Sequence, residues 1–399
     1  MSKRYQGGIL GVGFNPLRAP NAPTIGTATA GGNNCASVAF TAPACVGGSA
    51  VTGYTARSNP TGFGGAAAGS PITVTGLTNG ASYTFGAFAL NSYGPSPISA
   101  FSNSITAVAD GTFAIFALGA TSAGASTTTR NKYTYSGDAV STGGAATVAS
   151  QIGSAAGNST VGIFALGQGA ATTRNKYTYS GCVVSAGGAA TAASLAGAAA
   201  GNSTVGIFAL GFTTTCRDRY TYSSCVVTAG GASTANSFYG SAAGNSTVGI
   251  FALGTTSNLC NAVTTRDKYT YSSNAVASAG AATVATNQSS ATGNSTVGIF
   301  ALGYAPGCGT GLTTRNKYTY SGDVVSGGGA ATAGSYVGSA AGNSTVGIFA
   351  LGVVSACGVA VTTRNRYTYS GDVVSAGGAA TAASSRGSAA SNGTIGVNM

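Results

Sequence analysis

The chain has 399 residues and a formal net charge of +11, with only 6% of its residues charged, six acids that are all Asp, and no His, Glu or Trp. That alphabet removes the Ser-His-Asp triad, the HExxH zinc site, His-based proton transfer and the Glu pair of glycoside hydrolysis. It argues against an enzyme, and it offers no cofactor or metal motif. Thr, Ser, Val, Tyr and Phe are plentiful, and no apolar run reaches the roughly 18 residues that cross a bilayer. The expectation is all-β structure without membrane insertion.

At the N-terminus, Lys3 and Arg4 precede a short apolar stretch, Ile9 to Phe14, that Gly11 and Gly13 interrupt. A secretory core needs about 7–15 apolar residues, so no signal peptide is expected. Residues 1–19 read instead as an anchoring arm. From 20 to 106, short alternating strands are separated by Gly, Pro and Asn turns. Val38 and Phe40 are predicted to face a core. Leu77 stands six residues before Tyr83, a spacing that suits a tyrosine corner, in which the phenol caps a backbone group at a strand crossover. These residues resemble a fibronectin type III domain over about 85 positions. Phe40 stands where that family usually has a core Trp. The resemblance implies a β-sandwich serving as spacer or adhesion module.

From 107 onward the chain repeats. The phrase Ile163-Phe164-Ala165-Leu166-Gly167 recurs with its Phe at 116, 164, 208, 251, 300 and 349, at spacings of 48, 44, 43, 49 and 49. A second phrase, Arg-x-Lys/Arg-Tyr-Thr-Tyr-Ser, occurs six times. Periods of about 40–50 residues are those of propeller blades. From the Phe to the Arg the copies measure 14, 10, 9, 15, 15 and 15 residues, whereas Arg to second Tyr is always 5 and that Tyr to the following Asn always 23. Every insertion therefore falls in one connection: 120–129, 168–173, 212–216, 255–265, 304–314 and 353–363. Insertions confined to one connection decorate one face, often the binding face. The junction 107–116 aligns without gaps on 155–164 and returns at 389–397, so a strand shared between the two ends predicts a closed ring without free edges. The repeats resemble the kelch-like repeats of bacteriophage tail-fibre and appendage proteins, where Tyr-Thr-Tyr strands and Gly-Asn-Ser-Thr junctions recur. Here, however, Leu-Gly replaces the Gly-Gly doublet. The implied architecture is a fibronectin III-like β-sandwich followed by a six-bladed kelch-like β-propeller.

Twelve of the 17 basic residues are the repeated Arg and Lys/Arg pair, such as Arg130 with Lys132. A basic ring would suit phosphate or acidic glycans. The alternative favoured here is local contact at a strand edge, with Asp138, Asp218, Asp267, Asp323 and Asp372 as partners within their own repeats. No basic cluster with exposed aromatics supports nucleic-acid binding. Eight cysteines form no CxxC motif. Cys35 and Cys45 flank a strand, Cys182 and Cys225 are equivalent, and Cys260, Cys308 and Cys357 lie in successive variable loops. Free thiols are favoured over bridges. The Gly-Asn-Ser-Thr sequon reads as turn chemistry, with Asn and Gly tolerating positive φ.

The functional expectation is a non-enzymatic phage virion appendage, located on the particle and held to other virion proteins by the N-terminal arm. Its variable loops would meet a host-surface glycan or receptor. Asn258, Asn261, Tyr304, Thr310 and Ser355 are the binding candidates, suited to hydrogen bonding and stacking on a sugar. Two alternatives are a structural or decorating virion protein packed on neighbouring subunits, and a secreted bacterial adhesin. A homo-oligomer is compatible with the sequence.

Overall fold

The computed structural model describes residues 17–30, 36–78, 80–107, 112–168, 172–179, 182–211, 214–256, 261–301, 303–305, 310–354 and 359–392. It is all-β, with no helix among the described residues, and divides into two compact units, Met1–Ala109 and Asp110–Met399.

In the first unit, one antiparallel sheet pairs Thr24–Ala30, Ala36–Thr41 and Ile72–Val74. A second is built on Gly53–Asn59, Gly64–Ala67 and Ser82–Asn91. Alternation places Val38, Phe40, Ile72 and Val74 of the first sheet and Ala56, Phe85 and Ala87 of the second in one shared core. Val38 and Phe40 face inward as expected, and the Phe40 ring lies 4.6 Å from that of Tyr54. The tyrosine corner is present: the N–H of Thr78 donates to the Tyr83 hydroxyl at 3.2 Å, beside a fully buried Leu77. Arg18, expected to belong to the arm, is part of the fold. Its N–H donates to Gly47 O, and its carbonyl accepts from the Asn91 amide. Residues 1–16 of the arm and Cys35 lie outside the described residues.

The second unit contains six four-stranded antiparallel sheets, here numbered I to VI. Sheet II runs Ser154–Gly157, Val161–Ala165, Arg174–Thr178, Val183–Ala186. Sheets III, IV, V and VI repeat that order from Ala199–Gly201, Ser241–Gly244, Ser290–Gly293 and Ser339–Gly342. Sheet I combines both ends of the unit: Ser388–Ser391 pairs with Phe113–Ala117, which pairs with Arg130–Thr134 and then Ala139–Thr142. The shared strand expected from the repeated junction is thus formed in register, Ala389 opposite Phe116. Val161–Ala165 is buried at every position, the pattern of a strand covered on both faces.

Six apolar clusters lie one at each contact between neighbouring sheets, including sheet VI against sheet I through Val346 and Ile348 with Phe116 and Tyr133. The first strands touch in sequence, and that of sheet VI touches that of sheet I. Just before each first strand, one backbone N–H donates to the preceding copy. Ile152 donates to Arg386 O, Ala196 to Ile152 O, Tyr239 to Ala196 O, Gln288 to Tyr239 O, Val337 to Gln288 O and Arg386 to Val337 O, at 2.8–3.1 Å. This cycle of six bonds closes on itself and is called the axial ring below. At the opposite end of the sheets, the Gly-Asn-Ser-Thr junctions are Asx turns. Asn158 Oδ1 accepts from the N–H and hydroxyl of Thr160 and from the Val161 N–H, and its amide donates to Ser203 O of the next sheet. The Asn acts as acceptor and bridge here, and does not take the positive φ expected of it.

Candidate functional site

Each variable connection leaves its sheet at the end where the axial ring lies. The first residues of the connection pair with the segment just before a first strand: Gln168 with Gln151, Thr255 with Phe238, Tyr304 with Asn287, Val353 with Tyr336, and Ala120 with Ser385. One end of the six sheets thus carries all the described loop residues together with the ring.

Of the binding candidates, Asn258 and Ser355 lie outside the described residues. Tyr304 and Thr310 come together on one small hairpin, Tyr304–Ala305 against Thr310–Gly311. Thr310 is exposed, whereas Tyr304 is half-buried, with its ring 5.5 Å from that of Tyr336. Asn261 is exposed in the preceding connection, beside the bridge between Thr255 and Ala262. Tyr336 was not singled out in the sequence, nor were Tyr239 and Arg386. All three lie in the Gly/Ser/Ala-rich stretch, where their only signal is that they interrupt it.

The basic ring is corrected. Arg130, Arg174, Arg217, Arg266, Arg315 and Arg364 are at most 2% exposed, so they cannot meet a phosphate or glycan in solution. They also do not lie on a strand edge, since their strands are third of four in each sheet. Each guanidinium lies over the Phe of the next sheet at 4.5–4.8 Å, Arg130 on Phe164 through Arg364 on Phe116. Each also donates to the residue after the next Arg: Asn175, Asp218, Asp267, Asn316, Asn365 and Asn131 in turn. The aspartates therefore pair between sheets and not within repeats. Arg174–Asp218 and Arg217–Asp267 are buried at 2.6 and 2.7 Å. Lys268–Asp323, Lys317–Asp372 and Arg366–Asp138 bridge the next three contacts at 2.6–3.0 Å. Burial pushes Arg130, Arg266, Arg315 and Arg364, which face only neutral Asn, down to about 10.

Two concavities lie at opposite ends of the sheets. An open cavity of about 360 Å³ between sheets IV and V is lined by Asn245, Thr247, Ser295, Thr296, Lys268 and Tyr320. It lies at the end away from the loops. There Asn245 and Thr247 bond one another, and Lys268 is held by Asp323. The second is a cavity of about 30 Å³ at the axial ring, lined by Ile152, Ala196, Tyr239, Ser289, Val337 and Arg386 among others. Cys182, Cys216 and Cys225 carry unbridged thiols, and the Lys176 ammonium lies 3.5 Å from Cys225 Sγ. Cys260, Cys308 and Cys357 lie outside the described residues.

No family model matches the chain, and no curated protein matches it. Among solved structures it is similar to "Crystal structure of domains A168-A170 from titin", at 26% identity over 22% of this chain and 32% of that one, with a TM-score of 0.21. It is also similar to "Titin kinase and its flanking domains", at 25% identity over 23% of this chain and 17% of that one, with a TM-score of 0.21. The chain spans about a third of the first structure and a sixth of the second, and these likenesses carry no argument about function.

Proposed function

We propose that 107–399 is a closed six-bladed β-propeller with kelch-like repeats, carried beside a fibronectin III-like sandwich at 20–106. We propose further that the protein is a non-enzymatic phage virion appendage whose loop-bearing face receives a host-surface glycan or receptor. The cycle of axial hydrogen bonds, the six inter-sheet clusters and the pairing of Ser388–Ser391 with Phe113–Ala117 support the closed ring. A closed ring leaves no inner edge to aggregate. The observation that carries the functional reading is that six nearly identical sheets differ in length at one end only, while their faces are filled by one another. Variation confined to that end marks it as the one fitted to a partner.

The decorating-protein reading has one observation in its favour. Val183, Val226, Val324 and Val373, at the start of the outermost strands, are 51–58% exposed and would suit lateral packing. Shortening 255–265, 304–314 and 353–363 to the length of 212–216 separates the two readings. Attachment of the full chain to host cells should fall sharply while thermal stability stays nearly unchanged, because surface loops contribute little to the core. Undiminished attachment would put the lateral reading first.

A further inference from the structure

At the axial ring the repeats keep one backbone conformation but differ in side-chain chemistry. Ile152, Ala196, Tyr239, Gln288, Val337 and Arg386 occupy one repeat position, each followed by Gly or Ser within one or two residues of the first strand of its sheet. All six have φ between +50° and +58°, the left-handed region where Gly sits freely and β-branched residues are outliers. The chain has 65 glycines and places none of them here. Keeping strained side chains where Gly would be relaxed points to a role for those side chains. A plug for the axis would call for apolar groups alone, yet the set includes Tyr, Gln and Arg.

The N–H and C=O of the six ring residues are already paired with one another, so at these positions the side chains are what differs from sheet to sheet. Arg386 and Tyr239 belong to sheets I and IV, three steps apart around the cycle of six. Tyr239 and Arg386 line the same cavity of about 30 Å³, where burial raises the Tyr239 phenol and the Arg386 charge pulls it partly back. Arg386 gives one long bond, 3.4 Å, to Gln151 Oε1. All five described aspartates are committed to other cations, so Arg386 has no ion pair among the described residues.

We propose that this mouth binds the carboxylate of an acidic sugar. Arg386 would pair with the carboxylate, and Tyr239, Ile152 and Val337 would form the rim under the sugar ring. The proposal rests on the loop-bearing face being the receptor face. A guanidinium fork matches a carboxylate in two parallel hydrogen bonds. The cavity of about 30 Å³ admits that group and not a sugar ring, so the ring must lie over the rim. One cation against apolar walls matches a monoanion; a phosphate dianion would keep an uncompensated charge.

The test is calorimetric titration of the full chain with the methyl glycosides of glucuronic, galacturonic and N-acetylneuraminic acids, with methyl glucoside and glucose 6-phosphate as controls. At least one carboxylated glycoside should bind saturably, more tightly than the sugar phosphate, and the neutral glycoside should not bind. Arg386→Gln should weaken the binding at least tenfold. Arg386→Gly should abolish it and raise the melting temperature, because it removes strain; an axial plug would instead lose stability. Absence of saturable binding by all three acids, unchanged binding by Arg386→Gln, or tighter binding of the phosphate would overturn the proposal. Host attachment separates the two levels. If both Arg386 variants attach like the wild type while the loop-shortened chain does not, the mouth proposal fails and the receptor face stands. If the loop-shortened chain also attaches like the wild type, both fail.

Discussion

Replacing Asn316 by Asp should stabilise the second unit, because it gives a carboxylate to a buried guanidinium that has none. Arg266 is 1% exposed, lies on Phe300 at 4.5 Å, and donates to Asn316 Oδ1 at 3.1 Å, while its Nε has no partner. Burial lowers its pKa from 12.5 to about 10, which corresponds to about 3 kcal/mol of charge desolvation carried by the folded state at neutral pH. At an effective dielectric of about 20, a carboxylate about 3 Å away attracts the guanidinium by roughly 5–6 kcal/mol, and burying that carboxylate costs several kcal/mol. The net gain is about 1–2 kcal/mol. Geometry does not oppose the change. The Asn316 amide now donates to Thr283 Oγ1, and the equivalent Thr234 hydroxyl turns round to donate to Asp267. Asp218→Asn, the reverse exchange at Arg174, should cost a similar amount. For a unit of this size the shifts are about 2–4 °C per kcal/mol in melting temperature, read by calorimetry at pH 7. A lower melting temperature for Asn316→Asp, or an unchanged one for Asp218→Asn, would refute the view that desolvated arginines set the strength of the sheet contacts.

Alkaline pH should unfold the second unit cooperatively. Burial, and for Tyr177 the Cys182 thiol as well, push that phenol up to about 12, and burial pushes Tyr179, Tyr222, Tyr271 and Tyr320 well above the ordinary value of 10.0. A phenol whose folded pKa is raised stabilises the fold fully below pH 10 and loses that contribution as pH climbs further. Tyrosinate absorbance should therefore appear together with loss of the β-sheet circular dichroism; a gradual titration near pH 10 with the fold intact would contradict this. Deleting 388–399 should leave Phe113–Ala117 without its inner partner and abolish the cooperative melting transition of 110–387 while 17–107 still folds. A truncated chain that melts like the full one would show that the shared strand is dispensable.

Much of the scaffold was legible in the sequence because its signals are local and repeated. The fixed spacings and the returning junction at 389 were enough to place the loop end and the shared strand. The six-residue interval from Leu77 to Tyr83 was enough for the tyrosine corner. The Arg positions were misjudged for a physical reason. A charged residue in an alternating strand reads as solvent-facing, and only the three-dimensional approach of the next sheet, with its Phe and its Asn or Asp, reveals a buried site. The same cause turned the partners of Asp218 and Asp323 from intra-repeat to inter-sheet. Arg386 and Tyr239 were hidden because small residues surround them, and their left-handed backbone depends on a ring that no single repeat contains.

In the proposed function the loop-bearing end of the six sheets is the surface presented to a host. Cryo-electron tomography of the parent particle adsorbed to host envelope tests it most directly. The second unit should stand at the distal tip, with the end that carries Tyr304 and Arg386 against the envelope and the Asn-Ser-Thr junctions turned away. Finding that end buried against neighbouring subunits, with the particle attached through another protein, would contradict it.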